Sequence, residues 1–225
     1  MNHLSDLPLE ILINITRFLS TKDVMNLSIC HKHLHVILYI VQINDKVEFD
    51  KICESSYFDS FTEVVYNKSA NIFPKSLHVL KWCCEDILPL SLPDSLASLE
   101  FGTFYNHPLP LLPDSLKSLD LGWFYNQPLP ELPNSLRNLN LGYHYNHPLL
   151  QLPNSLKILY LSSNYNHILP QLSDLLENLY LGHFYNHCLP QLPDSLKILY
   201  LSSNYNHLLP QLPDSLRHLK IMRYK

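Results

Sequence analysis

Leu116, Leu119 and Leu121 follow an L-x-x-L-x-L spacing that returns every twenty residues through the C-terminal part of the chain. Successive units read LPDSLKSLDLGWFYNQPLP, LPNSLRNLNLGYHYNHPLL and LPNSLKILYLSSNYNHILP, with Phe101 and Ile221 standing in for the third leucine near the two ends. Six units are complete, a seventh stops at Lys225, and a looser one, FPKSLHVLKW from Phe73, precedes them at a spacing of 19. The alternation across Leu119, Asp120 and Leu121 marks a short strand with one face inward. Twenty residues are too few for a helix pair, so each unit is expected to be one coil of a solenoid. Its strand should stack in parallel on the next at about 4.8 Å. No such coil buries its leucines alone; neighbours do it for one another, with Leu109, Leu112 and their equivalents on the return side. A buried leucine is worth roughly 2 kcal/mol, which offsets the ordering of a coil only in a continuous stack.

The first forty residues lack this period. Asp6 ahead of Pro8 marks a helix start, Glu10 sits in the first turn, and Ile11, Leu12, Ile15, Phe18 and Leu19 fall at helical spacing. Ser20 and Thr21 before Asp23 cap a second short helix carrying Val24, Leu27 and Cys30, and a third follows from about His31 to Val41. Three short helices bury little, so this module must lean on a partner or on the rest of the chain. The fold class is therefore α+β. Three helices over residues 3–41 precede a connector over 42–72, an atypical leading repeat over 73–92 and regular repeats over 93–225. In the connector, residues 47–49 and 62–66 are expected to be strands leading into the first coil.

Other recurrent positions have mechanical readings. Pro93, Pro113, Pro133, Pro153, Pro193 and Pro213 fix φ at a corner just before each strand. The Asp or Asn after each, with serine next to it, is expected to close a local side-chain-to-backbone turn. Gly102, Gly122, Gly142 and Gly182 fall just after the strand, but Ser162 and Ser202 replace them, so a positive φ is not expected to be compulsory there.

His107, Gln127, His147, His167, His187 and His207 form one column, its members about 5 Å apart in a solenoid. Imidazole is the commonest metal ligand. Against a metal site, Gln127 interrupts the column, no carboxylate or thiol shares it, and zinc wants a closed tetrahedral set. A structural or merely exposed column is expected, with no metal and no cofactor. The unvarying Asn106, Asn126, Asn146, Asn166, Asn186 and Asn206 read as a ladder that satisfies backbone groups in a turn. A residue copied six times is a poor basis for one catalytic constellation. With no GxSxG, HExxH, CxxC or phosphate-cradling glycine loop, no catalytic residue is assigned and a non-enzyme is expected.

Composition narrows the partners. The formal net charge is −4, from 16 basic and 20 acidic residues. Neither half has the basic excess that drives phosphate-backbone binding, so neither nucleic acid nor an anionic membrane is expected as a partner. There is no apolar run of 18 residues, and MNHLSDLPLE lacks the order of a signal peptide. A cytoplasmic monomer is expected. Five scattered cysteines suit reduced thiols rather than a disulfide framework.

A binding surface should lie where the repeats differ, since positions that repeat serve the stack. The outward strand residue runs Glu100, Asp120, Asn140, Tyr160, Tyr180, Tyr200, Lys220, and the position past each strand includes Trp123, Tyr143 and His183. Together these paint one face acidic at one end, aromatic in the middle and basic at the other. Trp and Tyr are the anchor types of protein interfaces.

Two stretches carry a resemblance. L-P-x-E-I at residues 7–11, the apolar series through Phe18 and Leu19, the T-K-D-V-M-N-L-S segment and C-H-K-H-L-H together resemble an F-box, although Leu34 stands where that family usually has tryptophan. The twenty-residue units, with Y-N-x-P at 105–108, 125–128 and 145–148, resemble the FNIP repeat, a relative of the leucine-rich repeat. The combination is familiar from social amoebae and giant DNA viruses of amoebae. The resemblance implies an adaptor of a Skp1-cullin-F-box ubiquitin ligase, its F-box docking on Skp1 and its solenoid holding an unknown protein substrate. By resemblance the Skp1-facing residues are Leu7, Pro8, Leu9, Glu10, Ile11, Ile15, Leu19, Val24 and Leu27. The other readings are a Skp1-sequestering decoy, a non-catalytic scaffold, or a plain helical cap on the solenoid.

Overall fold

The computed structural model describes residues 72–221 without a break, residues 61–67 and 47–49, and the single positions Ile11, Ile15, Phe18, Leu19, Asp23, Glu54 and Asp59. The helical half of the α+β expectation falls on residues 3–41 and lies outside the described residues except at five of those positions. What is described is a parallel β-solenoid.

Among the described residues, ten strands form one sheet in strict chain order, every pair parallel. They are β1 (Val47–Glu48), β2 (Glu63–Tyr66), β3 (Val79–Trp82), β4 (Ser98–Phe101) and β5 (Ser118–Asp120). After them come β6 (Asn138–Asn140), β7 (Ile158–Tyr160), β8 (Asn178–Tyr180), β9 (Ile198–Leu201) and β10 (His218–Ile221). Residues twenty apart stand side by side, as in Leu119 against Leu139. Leu99 through Leu199 are buried at the strand centres, with the Leu116-type and Leu121-type residues behind them. The third-leucine substitutes diverge: Phe101 is buried, whereas Ile221 is 55% exposed.

Tyrosine completes the interior. Tyr105, Tyr125, Tyr145, Tyr165 and Tyr185 are buried and stack nearly parallel from coil to coil, with centroids 6.2 to 6.4 Å apart. Burial pushes their phenols above the ordinary range. On the return side Leu149, Leu152, Leu169 and Leu172 are buried, while Leu109, Leu112, Leu129 and Leu132 are only half-buried against the core.

The corners differ from expectation in one way. Before each strand the chain does close a turn, as where Leu116 N–H donates to Pro113 O at 3.0 Å. The serine, however, reaches out of its own turn: Ser115, Ser135 and Ser155 donate from Oγ to Leu96, Leu116 and Leu136 carbonyls at 2.6 Å. A short hydroxyl beside a stacked coil finds the carbonyl of the coil below, so it ties coils together. After the strand, φ is +72° at Gly122 and +71° at Gly142, so there the positive φ is used. Ser162 and Ser202 adopt a different corner, buried, with their hydroxyls donating to the Tyr143 and His183 carbonyls.

At the N-terminal end the stack is closed by an aromatic cluster. Phe49 lies 4.5 Å from Tyr66, and Tyr66 lies 5.4 Å from both Phe73 and Trp82. Tyr66 Oη donates to Ile72 O at 2.6 Å and Trp82 Nε1 to Asp86 O at 3.0 Å, so the polar tips are paired as buried aromatics require. Leu19 is half-buried against this core, whereas Ile11 is 46% exposed.

Candidate interaction face

The parallel register sets the outward strand residues in a line: Lys81, Glu100, Asp120, Asn140, Tyr160, Tyr180, Tyr200 and Lys220 are successive neighbours across β3 to β10. The line divides into two lobes. In the first, Lys81 is ion-paired with Glu100, whose hydrogen bond raises the lysine pKa above its ordinary value. Asp120 Oδ1 accepts from Gly122 N–H and Oδ2 from Asn140 Nδ2, both at 2.9 Å. Trp123 and Tyr143 stand beside them as parallel plates, 4.4 Å apart and tilted by 2°. Glu100, Asp120, Asn140, Trp123 and Tyr143 line one groove of about 660 Å³.

In the second lobe Tyr160, Tyr180 and Tyr200 stack at 4.1 and 5.0 Å, and Lys220 Nζ lies 5.8 Å from the Tyr200 ring. Burial, with a hydrogen bond to Tyr160, pushes the Tyr180 phenol up to about 12. His183 joins neither lobe: its Nδ1 meets Ser203 Oγ at 3.1 Å.

Two features were missed from the sequence. Phe104, Phe124 and His144 form a second staircase, at 5.6 and 4.8 Å, with Phe104 62% exposed. They too vary from coil to coil, so the same comparison one column further would have found them. The second is Lys157–Glu177–Lys197, where one carboxylate bridges two ammonium groups at 3.2 and 2.5 Å. The Lys197 hydrogen bond, then that of Lys157, holds the Glu177 carboxyl below its usual range.

The histidine column has a job that the sequence did not reveal. His147, His167, His187 and His207 hold Nε2 at 3.0 to 3.1 Å from the carbonyls of Asn126, Asn146, Asn166 and Asn186 in the preceding coil. A carbonyl only accepts, so Nε2 carries the proton. Gln127 Nε2 makes the analogous reach to Asn106 Oδ1 at 3.3 Å. Alongside runs the asparagine ladder: Asn126 N–H donates to Asn106 Oδ1, and Asn146 N–H to Asn126 Oδ1, both at 2.9 Å. Among the described residues, no group of three or more His, Cys, Asp or Glu could hold a metal ion. Asn146→Ala should lose the acceptor for Asn166 N–H, and a urea titration is expected to show about 1 kcal/mol of destabilisation.

Of the residues assigned to Skp1, Leu7, Pro8, Leu9, Glu10, Val24 and Leu27 lie outside the described residues. Ile11 and Ile15 are exposed and half-buried, and Leu19 faces the solenoid core. Among the described residues no helix is long and apolar enough to cross a membrane. A second cavity, of about 470 Å³, opens on the return side and is lined by residues within 128–134 and 145–153.

Comparison with known proteins gives this arrangement a family. A protein of Acanthamoeba polyphaga mimivirus named for an F-box and FNIP repeats is 26% identical over 128 residues. The match covers 48% of this chain, which spans 25% of that relative's length. Among solved structures, YopM from Yersinia enterocolitica superposes with a TM-score of 0.56 at 24% identity, over 73% of this chain and 47% of YopM. It shows the fold, a leucine-rich-repeat-like solenoid. The circular LRR protein CroV588 matches at 28% identity with a TM-score of 0.47, over 72% of this chain and 34% of that protein. The F-box domain family matches residues 4–45, and the FNIP Repeat family matches 85–124, 105–144, 125–164 and 185–223. With FNIP repeats over more than half its length behind an F-box, the chain belongs to the F-box and FNIP repeat-containing proteins.

Proposed function

We propose that this protein is a substrate-recognition adaptor of a Skp1-cullin-F-box ubiquitin ligase, working in the cytoplasm as a monomer without catalytic chemistry of its own. The F-box docks on a Skp1-like protein through Leu7, Pro8, Leu9, Glu10, Ile11 and the apolar residues that follow. The solenoid face from Glu100 to Lys220 holds the substrate. The observation that carries this reading is the junction. The F-box match ends at residue 45, and β1 begins at Val47 in the same ten-stranded sheet that presents the variable face. An adaptor works by holding its substrate at a fixed place relative to the transferring enzyme, and a sheet that starts two residues past the F-box match supports that reading.

The test is affinity purification of tagged wild type and of a Leu7→Asp, Pro8→Ala variant from cells. Wild type is expected to bring down a Skp1-like protein and a cullin, and the variant neither. If wild type brings down neither, the adaptor reading fails. If both come down but no protein changes abundance when residues 93–225 are removed, the Skp1-sequestering decoy replaces the adaptor reading.

A further inference from the structure

We infer that the groove around Asp120 and Trp123 receives an arginine side chain of the partner protein, an assignment that rests on the sheet face being the substrate-holding surface. Within the lining, Lys81 and Glu100 neutralise each other, and Asp120 leaves a formal charge of −1. The two donors on Asp120, a backbone N–H and a side-chain amide, are neutral, so they orient the carboxylate without compensating it. Each oxygen has used one of its two acceptor positions, which leaves both able to take a fork of parallel N–H donors.

The wall of the groove is a π surface. Trp123 is 49% exposed and stacks face to face with Tyr143, and both share the groove lining with the Asp120 carboxylate. A planar cation is the group that satisfies both at once: guanidinium stacks on indole and bonds a carboxylate bidentately, whereas an ammonium does only part of this. The other lobe already shows the preference of this face, since its own Lys220 ammonium sits over the Tyr200 ring.

The repeat supplies variants that keep the fold. Asn140 occupies the Asp120 position one coil on and makes the same bond to its glycine, Oδ1 accepting from Gly142 N–H at 3.1 Å, so Asp120→Asn keeps the corner. Thr103 follows Gly102 as Trp123 follows Gly122, so Trp123→Thr has a precedent. The probes are pools of nine-residue peptides with arginine, citrulline, lysine or glutamate at the centre and randomised neighbours, added to the full chain and read by fluorescence polarisation.

The arginine pool is expected to bind about tenfold more tightly than the isosteric, uncharged citrulline pool, with lysine between them. Asp120→Asn should remove the arginine advantage and Trp123→Thr should reduce it severalfold, while the urea midpoint of each variant confirms folding. Equal binding of arginine and citrulline by wild type, lysine above arginine, or full discrimination by folded Asp120→Asn would overturn the assignment. If substrates depend on Tyr160 and Tyr180 but not on Asp120, the arginine site falls and the adaptor reading stands. If arginine selectivity holds while no Skp1-like protein is captured, the adaptor reading falls and the site stands.

Discussion

Tyr145→Ala is expected to lower the free energy of unfolding by about 3–5 kcal/mol, the range for removing a buried aromatic ring. Tyr145 has no exposed surface and stands between Tyr125 and Tyr165 at 6.3 and 6.4 Å, so its loss opens a gap in the column on both sides. Tyr145→Phe separates the ring from its hydroxyl. That hydroxyl is buried and has only a weak approach to the Leu129 backbone, so removing it should be close to neutral. The opposite result is expected at Tyr66, whose hydroxyl donates to Ile72 O: Tyr66→Phe should cost about 1 kcal/mol. Urea titrations followed by far-ultraviolet circular dichroism read all three. A Tyr145→Phe loss as large as that of Tyr145→Ala would show that the spine is held by its hydroxyls rather than its rings.

Gly142→Ala is expected to cost about 3–4 kcal/mol, from two causes that add. The residue has φ +71°, where a β-carbon costs about 1–2 kcal/mol. That carbon would also lie 1.6 Å from the Gly122 carbonyl oxygen, so the two coils must part to admit it. Ser162, in the same column, shows that the corner can be built without positive φ, its hydroxyl bonding the Tyr143 carbonyl instead. Ser162→Gly should therefore lose only about 1 kcal/mol, the worth of that bond. Urea midpoints that fall equally for the two variants would contradict the two-corner account.

The twenty-residue period placed β4 to β10 and their register because a leucine that must be buried repeats only where a coil closes. The asparagine ladder was legible for the same reason, an invariant polar residue in a turn needing a partner twenty residues away. The tyrosine spine was not read, although Tyr105 and its copies recur as faithfully as the leucines. Tyrosine suits a turn, an interface or a core, and burial alone decides among them. The histidine bonds escaped because they join residues 21 apart, an axial offset that only the finished coil defines.

For the interaction face, coil-to-coil variation at Asp120, Trp123 and Tyr143 was legible from the sequence alone. That Asp120 and the Trp123 plate line one groove, while Tyr160, Tyr180 and Tyr200 form a separate stack, is a tertiary fact. By itself the sequence determined the coil, the parallel order of strands and which positions were free to vary. Those follow from periodicity, because apolar burial repeats with the chain. The tertiary structure decided which free positions meet, how the corners turn and which polar atoms pair across coils, since these depend on distances between residues of different coils rather than on spacing along one.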